Sequence, residues 1–267
     1  MPMEDLHLIA EVCERAARAG GAVLLDWAQR FTVREKGPAD LVTDADLAAE
    51  KVVRQTIEKV FPSDLFIGEE TTAAEQVGEI LDEPTSCVWV VDPLDGTTNY
   101  AHHIPHYACS VAAVRAGKVL AGVVYHPAAE ECYAAVLGQG ATLNGETLRP
   151  SGISTLGSAL VAVSFPPRIQ RDGPEVTKLL GVLEQAQAIR RTGSAALNMC
   201  YVASGRLDAY WATGTSAWDI AAGVLLVTEA GGTVTDLSGD PFKLSHPQPL
   251  AAATPELNAE LAAILRY

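Results

Sequence analysis

The chain is short of basic charge, of paired cysteines and of long apolar runs, and each shortage closes off a class of protein. Lys and Arg total 19 against 33 Asp and Glu, which leaves a formal net charge of −14 and a pI near 4.8. The only basic cluster is Arg190-Arg191, so no electrostatic footprint for nucleic acid exists and no nucleic-acid partner is expected. An acidic surface also repels phosphorylated ligands at long range. Any phosphate site here must therefore carry its own positive charge, from bound cations or helix N-termini, and this favours a metal enzyme over a lysine-and-arginine clamp. Cys13, Cys87, Cys109, Cys132 and Cys200 are far apart, odd in number and without a Cys-x-x-Cys pair; they read as reduced and mostly buried. No stretch approaches the roughly 18 consecutive apolar residues of a membrane span. Met1-Pro2-Met3-Glu4-Asp5 opens no basic-then-apolar secretory signal. A cytoplasmic protein with no membrane partner is expected.

What is present suffices for a substantial core: 48% hydrophobic and 19% charged residues in a chain of 267, enough for one large domain or two small ones. Leu6, Ile9, Ala10, Cys13, Ala16, Ala17, Gly20, Val23, Leu24 and Trp27 recur at helical spacing and predict a first helix of about six turns. A second is predicted from Thr43 to Phe61, ended by Pro62. From Tyr107 to Leu143 the pattern is β-rich, with runs at Tyr107 to Val114, Val119 to Tyr125 and Cys132 to Val136 and Ala116-Gly117-Lys118 as a turn. Asn144-Gly145 through Gly152 marks a boundary, and beyond it strands and helices alternate to the end. The expected division is residues 1–152, an α+β region, and 153–267, an α/β region. The segment from Thr71 to Pro84 reads as a polar, mobile loop.

The chemistry concentrates in Trp89-Val90-Val91-Asp92-Pro93-Leu94-Asp95-Gly96-Thr97-Thr98-Asn99. An apolar strand is expected to stop near Asp92, because Pro93 removes a donor and fixes φ, while Gly96 permits a tight turn before Thr97 and Thr98 open a short helix. Two carboxylates there suit a cation, and free amides of Gly96, Thr97 and Thr98 suit an anion. Three weaker acidic signals accompany it. Asp44 and Asp46 sit where a helix starts, which capping alone would explain. Gly68-Glu69-Glu70 follows the apolar run Leu65-Phe66-Ile67, either as a solvated loop or as ligands at a strand end. Asp219 opens an almost uncharged helix and requires a cap, a partner or a cation.

Together these segments resemble the inositol monophosphatase family, within the wider superfamily of magnesium-dependent, lithium-sensitive phosphatases. The resemblance covers Lys36 and Ala39 to Asp46, Phe66 to Glu70, Trp89 to Asn99, Arg190 to Asn198, and Trp218 to Gly232, in order and with family-like spacing. It implies a five-layer αβαβα sandwich of the sugar-phosphatase type and hydrolysis of a small polyol or sugar phosphate, inositol monophosphate first among them. It implies two to three Mg²⁺: one on Glu69, Asp92 and the Leu94 carbonyl, a second on Asp92, Asp95 and Asp219, and a weaker third near Glu69, beside which Glu70 lies. Thr97 and Asp46 match the pair that orients and helps deprotonate the attacking water. Asp95 is expected to protonate the leaving alkoxide, and Lys36 to order the active-site loop or its water. Gly193, Ser194 and Ala195 match the sugar-facing turn, with Asp219 shared between metal and substrate. A homodimer follows from the same resemblance, with Tyr100 to Ser110 as a candidate interface.

One position departs from the pattern. Members that hydrolyse inositol monophosphates usually carry a glutamate where Tyr210-Trp211 is followed here by Ala212. That loss touches specificity more than reaction type, and leaves fructose 1,6-bisphosphate, histidinol phosphate or a 3′-phosphoadenylate as alternative substrates. Asp-x-Asp-Gly-Thr of the haloacid-dehalogenase phosphatases is superficially alike, but here Pro93 and Leu94 separate the acids. A metal-stabilised binding protein without catalysis is the reading from a different class.

Overall fold

The computed structural model describes residues 3–37, 40–81 and 86–266. Helix α1 (Met3–Trp27) buries Ile9, Val12, Cys13, Ala16, Ala17 and Leu24, a stripe at three- and four-residue spacing. A hairpin, β1 (Val33–Gly37) and β2 (Asp40–Thr43), leads into α2 (Asp44–Glu58). Thr43 caps α2 while the Asp46 side chain reaches back to the Thr43 amide, a reciprocal capping box.

A seven-stranded sheet follows, in the order β3-β4-β5-β6-β7-β8-β9. Its strands are β3 (Leu65–Gly68), β4 (Val88–Asp95), β5 (Ala108–Arg115), β6 (Lys118–His126), β7 (Glu131–Val136), β8 (Gly140–Leu143) and β9 (Glu146–Thr147). Only β3 and β4 pair parallel; the rest is an antiparallel meander. Helix α3 (Ala74–Leu81) joins β3 to β4, and α4 (Thr97–Ala101) follows β4.

The second sheet is five-stranded, ordered β11-β10-β12-β14-β13. It comprises β10 (Leu160–Ser164), β11 (Ala188–Arg190), β12 (Ala209–Ala212), β13 (Thr233–Asp236) and β14 (Pro249–Ala252). Its helices are α5 (Pro174–Leu183), α6 (Ala195–Ala203), α7 (Ala217–Ala230) and α8 (Pro255–Leu265).

The period-2 alternation of strand side chains sorts these elements into layers. Along β4, Trp89 and Val91 pack with α1 and α2, whereas Val88 and Val90 face α6 and α7. Along β12, Tyr210 and Ala212 face the same two helices, while Ala209 and Trp211 pack outward with Leu257, Leu261 and Leu265 of α8. Helices α6 and α7 are thus sandwiched between two sheets and are apolar nearly all round, as α7 shows with Ile220, Ala221, Ala222, Leu225, Leu226 and Val227 buried. The order is α1/α2, sheet, α6/α7, sheet, α5/α8: the αβαβα sandwich. The seven-stranded sheet ends at Thr147 and the five-stranded one begins at Leu160, yet one core cluster spans both inner faces. All five cysteines are free and buried. Among the described residues no helix is long and apolar enough to cross a membrane.

Four local expectations change. β4 does not stop at Asp92 but continues through Pro93 to Asp95, because the chain absorbs proline in a register shift instead of ending the strand. The supposed loop after Thr71 contains α3, held by buried Val77 and Leu81. The β-rich region, expected to end at Leu143, holds a further strand at Gly140–Leu143 and is extended by another at Glu146–Thr147. Ala108, Cys109 and Ser110 lie inside the sheet between β4 and β6 and are fully buried; they cannot form a subunit interface, and only His102 to Pro105, with Ile104 49% exposed, remains outside.

Candidate active site

Two acids three residues apart on a regular strand would face opposite sides of the sheet. Asp92 pairs with Ser110 and Asp95 with Ala108, so β4 carries one extra residue over this interval. That bulge at Pro93-Leu94 re-aims the chain and turns both carboxylates to the same place. Asp219, in the first turn of α7, joins them: one oxygen of each of Asp92, Asp95 and Asp219 lies within 4.8 Å of the others. Glu69 arrives from β3, whose parallel pairing with β4 brings the Glu69 amide to the Val91 carbonyl at 3.2 Å. Its carboxyl is a hydrogen-bonding neighbour of Asp92.

Burial and mutual repulsion govern this cluster. Asp92 is 1% exposed and Asp95 7%. Desolvation first, then the charges of Glu69, Asp95 and Asp219, hold the Asp92 carboxyl well above its usual range. Asp219 is raised in the same way, by burial and then by Glu69 and Asp95, despite accepting the Ser216 amide at 2.7 Å. Asp95 is pushed up to about 6 by burial, opposed by three hydrogen bonds. Those come from the start of α6: the Ser194 hydroxyl, the Ala195 amide (3.1 Å) and the Ala196 amide (2.9 Å) all donate to its carboxylate. Helix α6 therefore points its positive end at Asp95.

Among the described residues no lysine or arginine pairs with Asp92, Asp95 or Asp219. Converging carboxylates, two buried and one half-buried, are costly without a basic partner, and a donor set made only of oxygen suits a hard divalent cation. The residues present fit such an ion.

The two residues expected to orient water, Thr97 and Asp46, meet beside it. Gly96, at φ 96°, makes the left-handed turn that a side chain would strain, and places Thr97 at the start of α4. The Thr97 hydroxyl lies 3.0 Å from the Leu94 carbonyl and 3.3 Å from Asp46 Oδ1. Asp46 Oδ2 accepts from the Thr43 amide (2.8 Å) and hydroxyl (2.5 Å). Asp46 thus caps α2 and also reaches the Thr97 hydroxyl, so its capping does not exclude a place in the site.

The predicted sugar-facing turn is here too. Gly193, at φ 88°, sits so close to Asn99 that a Cβ would lie 2.9 Å from its Nδ2. Ser194 caps α6 by accepting the Leu197 amide at 3.2 Å while donating to Asp95. Gly193, Ala195, Thr98 and Asp219 line a cleft of about 520 Å³ together with Ser164, Phe165 and Arg191, a size suited to a small ligand. Ala212 is fully buried at the end of β12, level with Ser164, so this strand brings no acid to the cleft. Lys36 lies in β1, and its side chain is outside the described residues.

Two residues of consequence escaped the sequence reading. Asn99 donates to the His106 carbonyl (2.8 Å) and the Thr192 carbonyl (2.9 Å), tying the β4 turn to the Gly193 turn. Its place at the end of the acidic motif was the available signal. Glu50, 2% exposed on α2, accepts the Glu70 amide at 2.9 Å; a second acid one helical turn after Asp46, on a face otherwise apolar, would have flagged it.

Comparison with known proteins agrees over the whole length. The model of the inositol monophosphatase family matches residues 5–267. An inositol-1-monophosphatase of Mesorhizobium japonicum is 40% identical over 235 residues, 87% of this chain and 86% of that protein. A protein called Nus factor SuhB of Pseudomonas aeruginosa is 42% identical over 231 residues, 84% of each. Among solved structures, the extragenic suppressor protein suhB from Bartonella henselae superposes with a TM-score of 0.87 at 36% identity, covering 96% of this chain and 97% of that one.

Proposed function

Since the chain belongs to the inositol monophosphatase family, we propose that it is a magnesium-dependent phosphomonoesterase acting on a small polyol phosphate, inositol monophosphate first. The observation that carries this reading is the convergence of Asp92, Asp95 and Asp219 on one point, with Glu69 beside Asp92 and the Thr97–Asp46 pair beside Leu94.

Glu69, Asp92 and the Leu94 carbonyl would hold one Mg²⁺ and Asp92, Asp95 and Asp219 a second, with a third, weaker ion near Glu69. Bound there, the cations supply charge neutralisation for the cluster and the phosphate, and acidify water. The protein's own groups do the rest. Asp46 holds the Thr97 hydroxyl, whose lone pairs accept from a water molecule and aim it at phosphorus, helping to draw off its proton. The amides of Gly96, Thr97 and Thr98 face the non-bridging oxygens. As the new P–O bond forms and the ester P–O bond breaks, Asp95 relays a proton through water to the leaving alkoxide. The Gly193-Ser194-Ala195 turn, with Asp219, borders the space for the alcohol portion, and Lys36 is assigned to order the loop beside it. No covalent intermediate forms, so an aspartyl-phosphate trapped on Asp92 would contradict the scheme.

Ala212 stands where the family usually has a glutamate, which keeps fructose 1,6-bisphosphate, histidinol phosphate and a 3′-phosphoadenylate as alternatives. The relatives called Nus factor give only weak support to the binding-protein reading; the complete set of acids favours the enzyme. Inhibition by Li⁺ at tens of millimolar, a cytoplasmic location and a homodimer through the exposed His102 to Pro105 segment complete the proposal. Phosphate release from a panel of phosphomonoesters, with Mg²⁺ or a chelator, tests it: no magnesium-dependent turnover of any ester would leave the binding protein.

A further inference from the structure

Helix α2 buries two carboxylates on successive turns, Asp46 at 0% and Glu50 at 2% exposure. Ionised groups are rarely taken into a helix–sheet interface without a task. Asp46 is accounted for by Thr43 and Thr97. Glu50 is not part of that pair, and its Oε2 accepts the Glu70 amide from a turn 20 residues further along the chain. The fit is close: a Cβ on Gly68 would lie 2.3 Å from the same oxygen, so the loop rests on the carboxylate only because that position is glycine. One turn later Arg54 donates to the Thr71 hydroxyl at 2.9 Å and lies 4.0 Å over the Phe66 ring. Two consecutive turns of one helix thus grip the segment that carries Glu69, and Glu69 meets Asp92.

We infer that Glu50 is a positioning residue for the cation site: through the Glu70 amide it fixes where the Glu69 carboxylate stands against Asp92, without touching cation or substrate itself. Because Asp46 is on the same helix, α2 keeps the water-orienting pair in register with that carboxylate. Hydrogen-bonded supports of this kind are worth about 10- to 100-fold in metal affinity. The inference rests on the acid cluster being a cation site, and its test needs no turnover.

Magnesium affinity is measured by calorimetry on the whole chain without substrate. Glu50→Ala and Gly68→Ala should each weaken Mg²⁺ binding about tenfold or more. Glu50→Gln keeps an acceptor oxygen for the Glu70 amide, and should stay within about threefold of wild type. Wild-type affinity in Glu50→Ala, or a loss in Glu50→Gln equal to that in Glu50→Ala, would overturn the inference, the second outcome because it assigns the effect to charge and not to position. If Glu50→Ala does not fold, Gly68→Ala decides alone from the loop side of the same contact, and wild-type affinity there overturns it. Failure of the wild type to bind Mg²⁺ would overturn the proposed function as well, whereas binding without turnover would remove only the phosphatase.

Discussion

Replacing Asp95 by Asn should have opposite effects on stability with and without metal. Burial raises the Asp95 carboxyl from 3.8 to about 6, and such a rise corresponds to roughly 3 kcal/mol between fully protonated and fully ionised conditions. For an acid whose folded-state value is raised, the contribution is whole below the unfolded value and disappears as pH climbs through about 6. In chelator, wild type should therefore lose about 1.5 kcal/mol relative to Asp95→Asn between pH 5 and pH 8. The amide does not titrate. Asp92 and Asp219 add to the difference in the same direction, since Asp95 is among the charges that raise them. Loss of one acceptor facing the α6 amides gives the variant a constant penalty of about 1 kcal/mol, which the pH difference removes. His106, pushed down to about 4 by burial and by His126, works in the reverse sense on each absolute curve and cancels between the two proteins. Magnesium at about 100 times its Kd should then stabilise wild type by about 2.7 kcal/mol, and the variant, short of a ligand, by much less. Urea unfolding followed by circular dichroism reads both effects. A difference between the proteins that is indifferent to pH and to Mg²⁺ would show that Asp95 neither titrates in the folded chain nor takes part in holding a cation.

Other consequences are narrower. Thr97→Ala should lower kcat about a hundredfold with KM nearly unchanged, checked by steady-state phosphate release; a change confined to KM would remove Thr97 from the chemistry. Gly193→Ala forces a Cβ at positive φ onto Asn99 and should cost about 1–3 kcal/mol in thermal unfolding together with a fall in kcat/KM; wild-type behaviour would deny the tie between the two turns. Ala212→Glu should raise kcat/KM for inositol 1-phosphate relative to glycerol 2-phosphate by up to about tenfold, and an unchanged ratio would free this position of any part in specificity.

The acidic motif was readable because Pro93 and Gly96 punctuate it and because its hydroxyl and amide donors follow at once. What could not be read was how Asp92 and Asp95 come to face one way, since the bulge depends on the partner strand β5. Asp95 meets the Ser194 turn across a separation of 99 residues, and no local pattern announces such a contact. Helix α1 declared itself by spacing and α7 by an almost uncharged apolar run; α3 did not, because polar and small residues around Val77 diluted its period. β14 was hidden by the prolines on either side of Gln248, although Pro249 can start a strand whose other residues pair normally. Glu50 illustrates the remaining difficulty: a carboxylate on a helix looks solvated until the loop that covers it is in place.

On the proposed function, the acids around Asp92 make a cation-dependent phosphomonoesterase. Phosphate release from inositol 1-phosphate across a Mg²⁺ titration, in wild type and Asp92→Asn, tests it most directly. Turnover that rises with Mg²⁺, vanishes in chelator and falls at least about a hundredfold in Asp92→Asn is predicted; turnover that persists in chelator, or is equal in the two proteins, would contradict the account.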